Sequence, residues 1–143
     1  MSRELSSLRS QLRETQQQVL ALLHTFLARE PLLPGALYTL RRKCGKANCR
    51  CTRGELHEST VLAYRGQGRS RNVSPTPDQI EPLRKLTEPY RRARQARTQL
   101  ARLQRQLLTL VDQLEAARVQ EGEATYRKLR DPKSRARSSN PRR

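Results

Sequence analysis

The chain has few of the residues that build a large hydrophobic core. Its 143 residues include one Phe, four Tyr and no Trp, and 34% of them are hydrophobic. A core of ordinary size cannot be assembled from this composition, so helical packing, a bound metal or oligomerisation must supply much of the order. No apolar run approaches the length of about 18 residues that a membrane-spanning helix needs, which excludes such a helix.

The N-terminus has no apolar segment of the kind found in signal peptides. We therefore expect a cytoplasmic protein, located at the nucleoid if it binds DNA. In that reducing compartment, three cysteines that cluster in one short stretch favour metal binding over disulfide formation.

Acidic residues are also scarce, with 13 Asp and Glu against 30 Lys and Arg and a formal net charge of +17. Such an excess favours polyanions as partners, nucleic acid before an anionic membrane. The segment 31–75 carries nine cationic and two acidic residues, and the segment 122–143 carries eight and two. The charge predicts phosphate binding but gives no sequence specificity.

Two segments have apolar residues at alternating spacings of three and four, which predicts helices with a coiled-coil seam. The first predicted helix covers residues 3–29, and the second is regular from Ala93 to about residue 120. The first seam consists of Leu5, Leu8, Leu12, Thr15, Val19, Leu22 and Phe26. The second seam consists of Ala93, Ala96, Leu100, Leu103, Leu107, Leu110, Leu114 and Ala117.

The region between the seams predicts a small β structure. Residues 36–40 are a short apolar run typical of a strand, and residues 60–64 and 69–73 flank Gly66-Gln67-Gly68, which predicts a hairpin. Thr76 followed by Pro77, with Gln79 three residues after Thr76, predicts the start of a helix. Pro82 and Pro89 predict irregular turns after that start, and Thr87 offers a second one.

These elements predict a mainly α fold, an antiparallel coiled-coil hairpin that carries a small zinc-stapled β head. The alternative is that the seams pair between two chains, which would give a coiled-coil homodimer. The predicted domains are an N-terminal helix at 1–30, the β head at 31–75, a C-terminal helix with an arginine-rich start at 76–121 and a basic disordered tail at 122–143.

The most informative stretch of the head holds every cysteine of the chain, Cys44, Cys49 and Cys51, and His57 follows six positions after the last of them. Three thiolates and one imidazole form the ligand set of a closed structural zinc site. The spacing is not one of the common zinc-finger patterns, so ordinary thiols beside a surface histidine are the alternative. We expect His24, in the first helix, to have a packing or surface role.

Cationic residues surround these predicted ligands and continue at the start of the second long helix. We expect the head to contact phosphate or a groove through Arg41, Arg42, Lys43, Lys46, Arg50 and Arg53. The helix is expected to extend that surface through Arg91, Arg92, Arg94 and Arg97. Arg102 and Arg105 continue this run, and six helix arginines without an acid among them would repel one another in the absence of an anion. A solvated helix face is the alternative.

The stretch from Gly35 to His57 resembles a family of small bacterial and archaeal proteins of unknown function. The family pattern contains Cys-Gly-Lys-x-x-Cys-x-Cys, a Gly-x-x-His turn, an aromatic hairpin and a long helix, and it matches about residues 35–115. The resemblance implies that the three cysteines and His57 are the defining residues, and it suggests an association with mobile elements. Glu58-Ser-Thr-Val-Leu stands where the family has a Gly-Pro-Tyr-Tyr-like run, which removes aromatic platforms for base stacking.

We therefore expect a non-enzymatic, zinc-containing DNA-binding protein that assists a recombinase, a transposase or another DNA machine. DNA is favoured over RNA because few aromatic residues are present to stack on bases. An enzyme is not expected, because the chain has no glycine-rich phosphate loop, catalytic triad pattern or His-x-Glu arrangement. The rival function is a coiled-coil adaptor that binds an acidic protein.

Overall fold

A computed structural model describes residues 2–130 as two helices and a three-stranded sheet. The elements are helix α1 (Ser2–Leu27), strand β1 (Gly35–Arg42), strand β2 (His57–Gly66), strand β3 (Arg69–Val73) and helix α2 (Pro77–Arg130), with a short 3-10 turn at Arg50–Arg53. The mainly helical fold with a small β head is thus confirmed. Neither helix has a stretch within these residues that is long and apolar enough to cross a membrane.

The chain forms two compact units. One is Leu23–Gln99, which holds the sheet, and the other combines the described parts of Met1–Leu22 and Leu100–Arg143. In this second unit the seam residues Leu5, Leu103 and Leu110 are buried. A groove of about 350 Å³ is lined by Leu5 and Leu8 of α1 together with Ala116 and Ala117 of α2. Glu4 of α1 and Gln113 and Gln120 of α2 complete the lining, so both helices contribute to one groove. Coiled-coil geometry and dimerisation through the seams stay predictions.

The first seam has the predicted spacing along most of α1. Leu8, Leu12, Val19 and Leu22 are half-buried, and Leu5 and Thr15 are buried. The hydroxyl of Thr15 donates to the carbonyl of Gln11 at 2.8 Å, so this polar side chain is satisfied within its own helix. Phe26, the last predicted seam residue, is exposed.

Helix α2 begins where the sequence predicts and continues further than predicted. The backbone N–H of Thr76 donates to the side-chain oxygen of Gln79 at 3.0 Å, which satisfies one backbone group at the helix start. The helix then runs without interruption through Pro82 and Pro89, so no second start occurs at Thr87.

The prediction of a disordered tail from residue 122 is wrong for residues 122–130, which are helical. A single Gly122 costs a helix only about 1 kcal/mol relative to Ala, and the neighbouring Ala and Glu residues favour helix. Residues 131–143, the rest of the predicted tail, lie outside the described residues.

The three strands form an antiparallel sheet in the order β1-β2-β3. Strands β2 and β3 are joined by Gln67 and Gly68, whose φ angles of 51° and 76° are those of a tight hairpin turn. This confirms the predicted hairpin. Strand β1 pairs with β2 from Gly35 opposite Tyr64 to Arg42 opposite His57.

The register gives the sheet two different ends. We call the end with Arg42 and His57 the loop end, because residues 43–56 connect β1 to β2 there. The opposite end, with Gly35 and Tyr64, is called the helix end. The ends are seven residues apart along β2, which at about 3.3 Å per residue is about 23 Å.

Backbone hydrogen bonds fasten the helix end to α2. The N–H of Leu33 donates to the carbonyl of Leu86 at 3.0 Å, and the N–H of Arg65 donates to the carbonyl of Pro34 at 3.0 Å. Pro89 has no N–H to donate within the helix, and its ring crowds the preceding turn. The carbonyl of Leu86 lies in that turn and accepts its hydrogen bond from Leu33, which lies outside the helix. The segment between α1 and β1 therefore connects α2 to the sheet.

Candidate metal centre and basic surface

The loop end of the sheet brings the four predicted metal ligands together. Cys44 follows β1 by two residues, Cys49 and Cys51 lie at the start of the 3-10 turn, and His57 is the first residue of β2. One potential ligand atom from each of the four lies within 4.8 Å of the others. Since Arg42 and His57 are paired across the sheet, strand pairing itself brings the two ends of the loop together.

The distances within this cluster fit a tetrahedral metal ion. The Sγ atoms of Cys44 and Cys51 are 3.5 Å apart, and the Sγ of Cys49 is 3.0 Å from Nε2 of His57. A zinc–sulfur bond of about 2.3 Å implies a ligand–ligand separation of about 3.7 Å in a tetrahedron. Small adjustments of the side chains would thus suffice for all four to bind one ion.

The loop backbone supports this arrangement. Gly45 and Gly54 have φ angles of 82° and 102°, a conformation that favours glycine, and they allow the chain to turn after Cys44 and after the 3-10 turn. The hydroxyl and the N–H of Thr52 both donate to the carbonyl of Cys49, at 2.7 and 3.1 Å. These local bonds stabilise the turn that contains Cys49 and Cys51.

The cluster also shifts the acidity of its thiols in opposite directions. Hydrogen bonds from the backbone N–H of Cys51 and from the side chain of His57 lower the pKa of Cys49 to about 6, which favours the thiolate that binds metals. For the fully buried Cys51, the backbone N–H of Cys44 lowers the pKa, but desolvation and the neighbouring thiols outweigh it and raise the pKa. A cation in the cluster would favour the thiolate form of both.

The six predicted cationic residues of the head are all exposed and lie at or beside the loop end. Two of them have acidic partners, since Arg41 pairs with Glu58 at 2.9 Å and Arg50 with Glu55 at 3.7 Å. The other four form no ion pair within residues 2–130. These four are Arg42, Lys43, Lys46 and Arg53. These four are available to an external anion.

The predicted helix arginines lie on α2, and two of them have acidic partners. Arg91 pairs with Glu88 at 2.6 Å and Arg92 with Glu30 at 3.5 Å, while Arg94 and Arg97 are exposed and have no ion pair among the described residues. They follow the turn of α2 that is fastened to the helix end through Leu86. A continuous surface from the cysteine loop to these arginines stays a prediction.

Sequence reasoning missed a second cationic group, which lies on the β2–β3 hairpin. Arg65, Arg69 and Arg71 are exposed on the β2–β3 hairpin and have no ion pair within residues 2–130. The sequence did carry a signal, because no acidic residue occurs between Glu58 and Asp78. We call these three residues the hairpin arginines.

The site is thus a candidate metal centre at one end of a basic three-stranded sheet. Residues 3–85 match the family model described as a domain of unknown function, DUF6788. The chain belongs to this family. The match includes α1 and ends early in α2, whereas the resemblance noted above was placed at about residues 35–115. No curated protein and no solved structure matches the chain.

Proposed function

We propose that this protein is a non-enzymatic, zinc-containing nucleic-acid-binding protein that contacts phosphates through its β sheet. The observation that supports this most is the set of exposed cations on the sheet that have no acidic partner within residues 2–130. They comprise four residues at the loop end and the three hairpin arginines at the helix end. A polyanion running along the sheet contacts both groups.

The metal in this proposal is zinc, and its role is structural. Cys44, Cys49, Cys51 and His57 offer three sulfur atoms and one nitrogen, the ligand types that zinc prefers. Four protein ligands leave no open coordination position for a substrate or an activated water. Zinc therefore closes the loop of residues 43–56 and holds its cations in place, and it takes no part in chemistry.

Duplex DNA is the favoured nucleic acid. Most of the free cations are arginines, whose planar guanidinium group forms paired hydrogen bonds with phosphate. Aromatic side chains on the strands are few, with Tyr38 exposed and Tyr64 half-buried, so stacking on unpaired bases contributes little. The accessory role beside a recombinase or transposase depends on the sequence resemblance alone.

Binding of a labelled DNA duplex at several salt concentrations tests this function. We expect log K to fall linearly with log salt, with a slope of about 0.9 for each phosphate contacted. The triple variant R65A/R69A/R71A and the triple variant R42A/K46A/R53A should each lower the slope by about one per residue removed. The control R41A/R50A removes two arginines that already have acidic partners and should lower it less.

The absence of DNA binding at low salt would refute the proposal. Binding to an acidic polypeptide without binding to DNA would instead favour the rival adaptor function. A stronger preference for single-stranded RNA than for duplex DNA would show that the phosphate-based interpretation is wrong.

A further inference from the structure

The outward face of α2 carries apolar side chains that the seam does not explain. Leu107 and Leu110 belong to the seam and are half-buried and buried, whereas Leu108 and Val111 beside them are 65% and 43% exposed. We call Leu108 and Val111 the outer pair. Large exposed apolar side chains at helical spacing are typical of a contact surface, and phosphate binding gives them no role.

The charges around the outer pair have a mirror arrangement. Along the sequence, the point between Leu108 and Thr109 is halfway from Arg105 to Asp112. The same point is halfway from Arg102 to Glu115. None of these four charged residues forms an ion pair within residues 2–130, and all are exposed. Arg105 and Asp112 are seven residues apart, so they lie on the same side of the helix, next to the outer pair.

We propose that the outer pair is the contact surface for a second copy of this chain. The two α2 helices cross antiparallel about a two-fold axis near residues 108 and 109. Leu108 of each chain lies next to the axis and packs against Leu108 of the other chain, Val111 packs against the aliphatic part of Gln106 of the other chain, and Arg105 of each chain pairs with Asp112 of the other. A two-fold axis forms such a pair twice, because the same patch serves both subunits.

The charge order explains why the occupant is a second copy in antiparallel orientation. A parallel helix pair would place Arg105 beside Arg105 and Asp112 beside Asp112, which is repulsive. A uniformly acidic partner would be attracted by Arg105 and repelled by Asp112 and Glu115. Only a partner with an acidic residue opposite Arg105 and a basic residue opposite Asp112 is attracted at both positions. A second α2 helix in antiparallel orientation has this order of charges.

This interface differs from a dimer through the leucine seams. Leu103 and Leu110 of the seam are already 5% exposed within one chain, so little of their surface remains for a partner. The outer pair lies on another face of the same helix and is free to be covered. The inference does not depend on nucleic-acid binding.

Sedimentation equilibrium of the full chain and of charge-reversal variants tests the proposal. We expect the wild type to dimerise and R105D and D112R each to weaken the dimer about tenfold or more, because each places like charges together twice. The double variant R105D/D112R should dimerise again. A mixture of the two single variants should form a heterodimer. The R105D chain has an acidic residue at both positions of the ion pair, and the D112R chain has an arginine at both, so the two chains attract each other.

The control R9D changes the net charge as R105D does, at an exposed position of α1, and should leave the dimer intact. L108S should abolish the dimer, with helix content checked by circular dichroism. A wild type that is monomeric at all concentrations would overturn the proposal. A dimer that survives both L108S and R105D, or two single variants that do not associate when mixed, would also overturn it.

Discussion

The two ends of the sheet are held in different ways. The helix end is fastened by hydrogen bonds from Leu33 to Leu86 and from Arg65 to Pro34, and by close backbone packing at Gly35. At the loop end, the contacts that join residues 43–56 to one another come mainly from the cysteines, His57 and local turns. Ordinary packing and hydrogen bonding order the helix end, whereas we expect the loop of residues 43–56 at the other end to depend on a metal ion bound by its cysteines and His57.

The largest expected effect is at the loop end. Cys51→Ser removes the only fully buried ligand, so we expect loss of the metal and opening of residues 43–56. A structural zinc site contributes about 10–16 kcal/mol to folding in small zinc peptides, so the loop should not remain ordered without it. Hydrogen exchange should show lost protection around His57 and retained protection around Tyr64.

His24→Ala serves as the matched control for this variant. His24 lies in α1 and is not part of the four-residue cluster, so the variant should keep its metal and its exchange pattern. Equal loss of protection at both ends in Cys51→Ser would show that the two ends are not independently held.

The loop end should also depend on pH. The pKa of Cys49 is lowered from 9.0 to about 6 in the folded protein. Because the folded state favours the thiolate, the stabilisation is fully present above the ordinary thiol pKa and is lost as the pH falls through about 6. We expect metal release, followed with a chromogenic chelator, to have its midpoint at or below pH 6. A midpoint above pH 7 would contradict the thiolate geometry described for Cys49.

A smaller effect is expected at the helix end from Gly35→Ala. A Cβ at this position would lie 2.7 Å from both the carbonyl oxygen of Ala63 and the Cβ of Tyr64, so the strands must move apart. We expect a loss of about 1–3 kcal/mol in the free energy of unfolding, measured with urea. In Gly122→Ala the new Cβ meets nothing within 4 Å, and this control should gain up to about 1 kcal/mol. A neutral Gly35→Ala would show that the strands do not pack as described.

The smallest effect is expected from Arg92→Ala, also at the helix end. Its ion pair with Glu30 is 3.5 Å long, and both side chains are more than half exposed. Such pairs contribute about 0–1 kcal/mol, so the urea midpoint should change little and the change should vanish at high salt. A loss larger than about 2 kcal/mol would show that this ion pair fastens the helix end more strongly than the backbone hydrogen bonds do.

Local patterns in the sequence were sufficient to predict the elements and the ligand cluster. The spacing of Leu5, Leu103 and Leu110 predicts the buried sides of both helices, and the glycines around Gln67 predict the hairpin. The cysteines and His57 were identified by their chemistry alone. These features depend on short stretches of chain, where periodicity and residue type are informative.

Features that depend on long-range pairing could not be predicted in the same way. The register of β1 against β2, which places the loop of residues 43–56 and the β2–β3 turn at opposite ends of the sheet, is one such feature. Helix α2 continues through Pro89, and the hydrogen bond from Leu33 to Leu86 joins this part of the helix to the segment before β1, a contact that local sequence does not reveal. The sequence shows that no acidic residue lies between Glu58 and Asp78, but only the structure shows that the hairpin arginines are exposed and have no ion-pair partner within residues 2–130.

The central claim is that a metal ion holds the loop end through Cys44, Cys49, Cys51 and His57. Elemental analysis of the chain, purified without chelators or added metal, tests this claim most directly. We expect one zinc ion per chain, retained by the His24→Ala control and lost in Cys51→Ser. Well under one metal ion per chain in the wild type, with the sheet still folded, would contradict it.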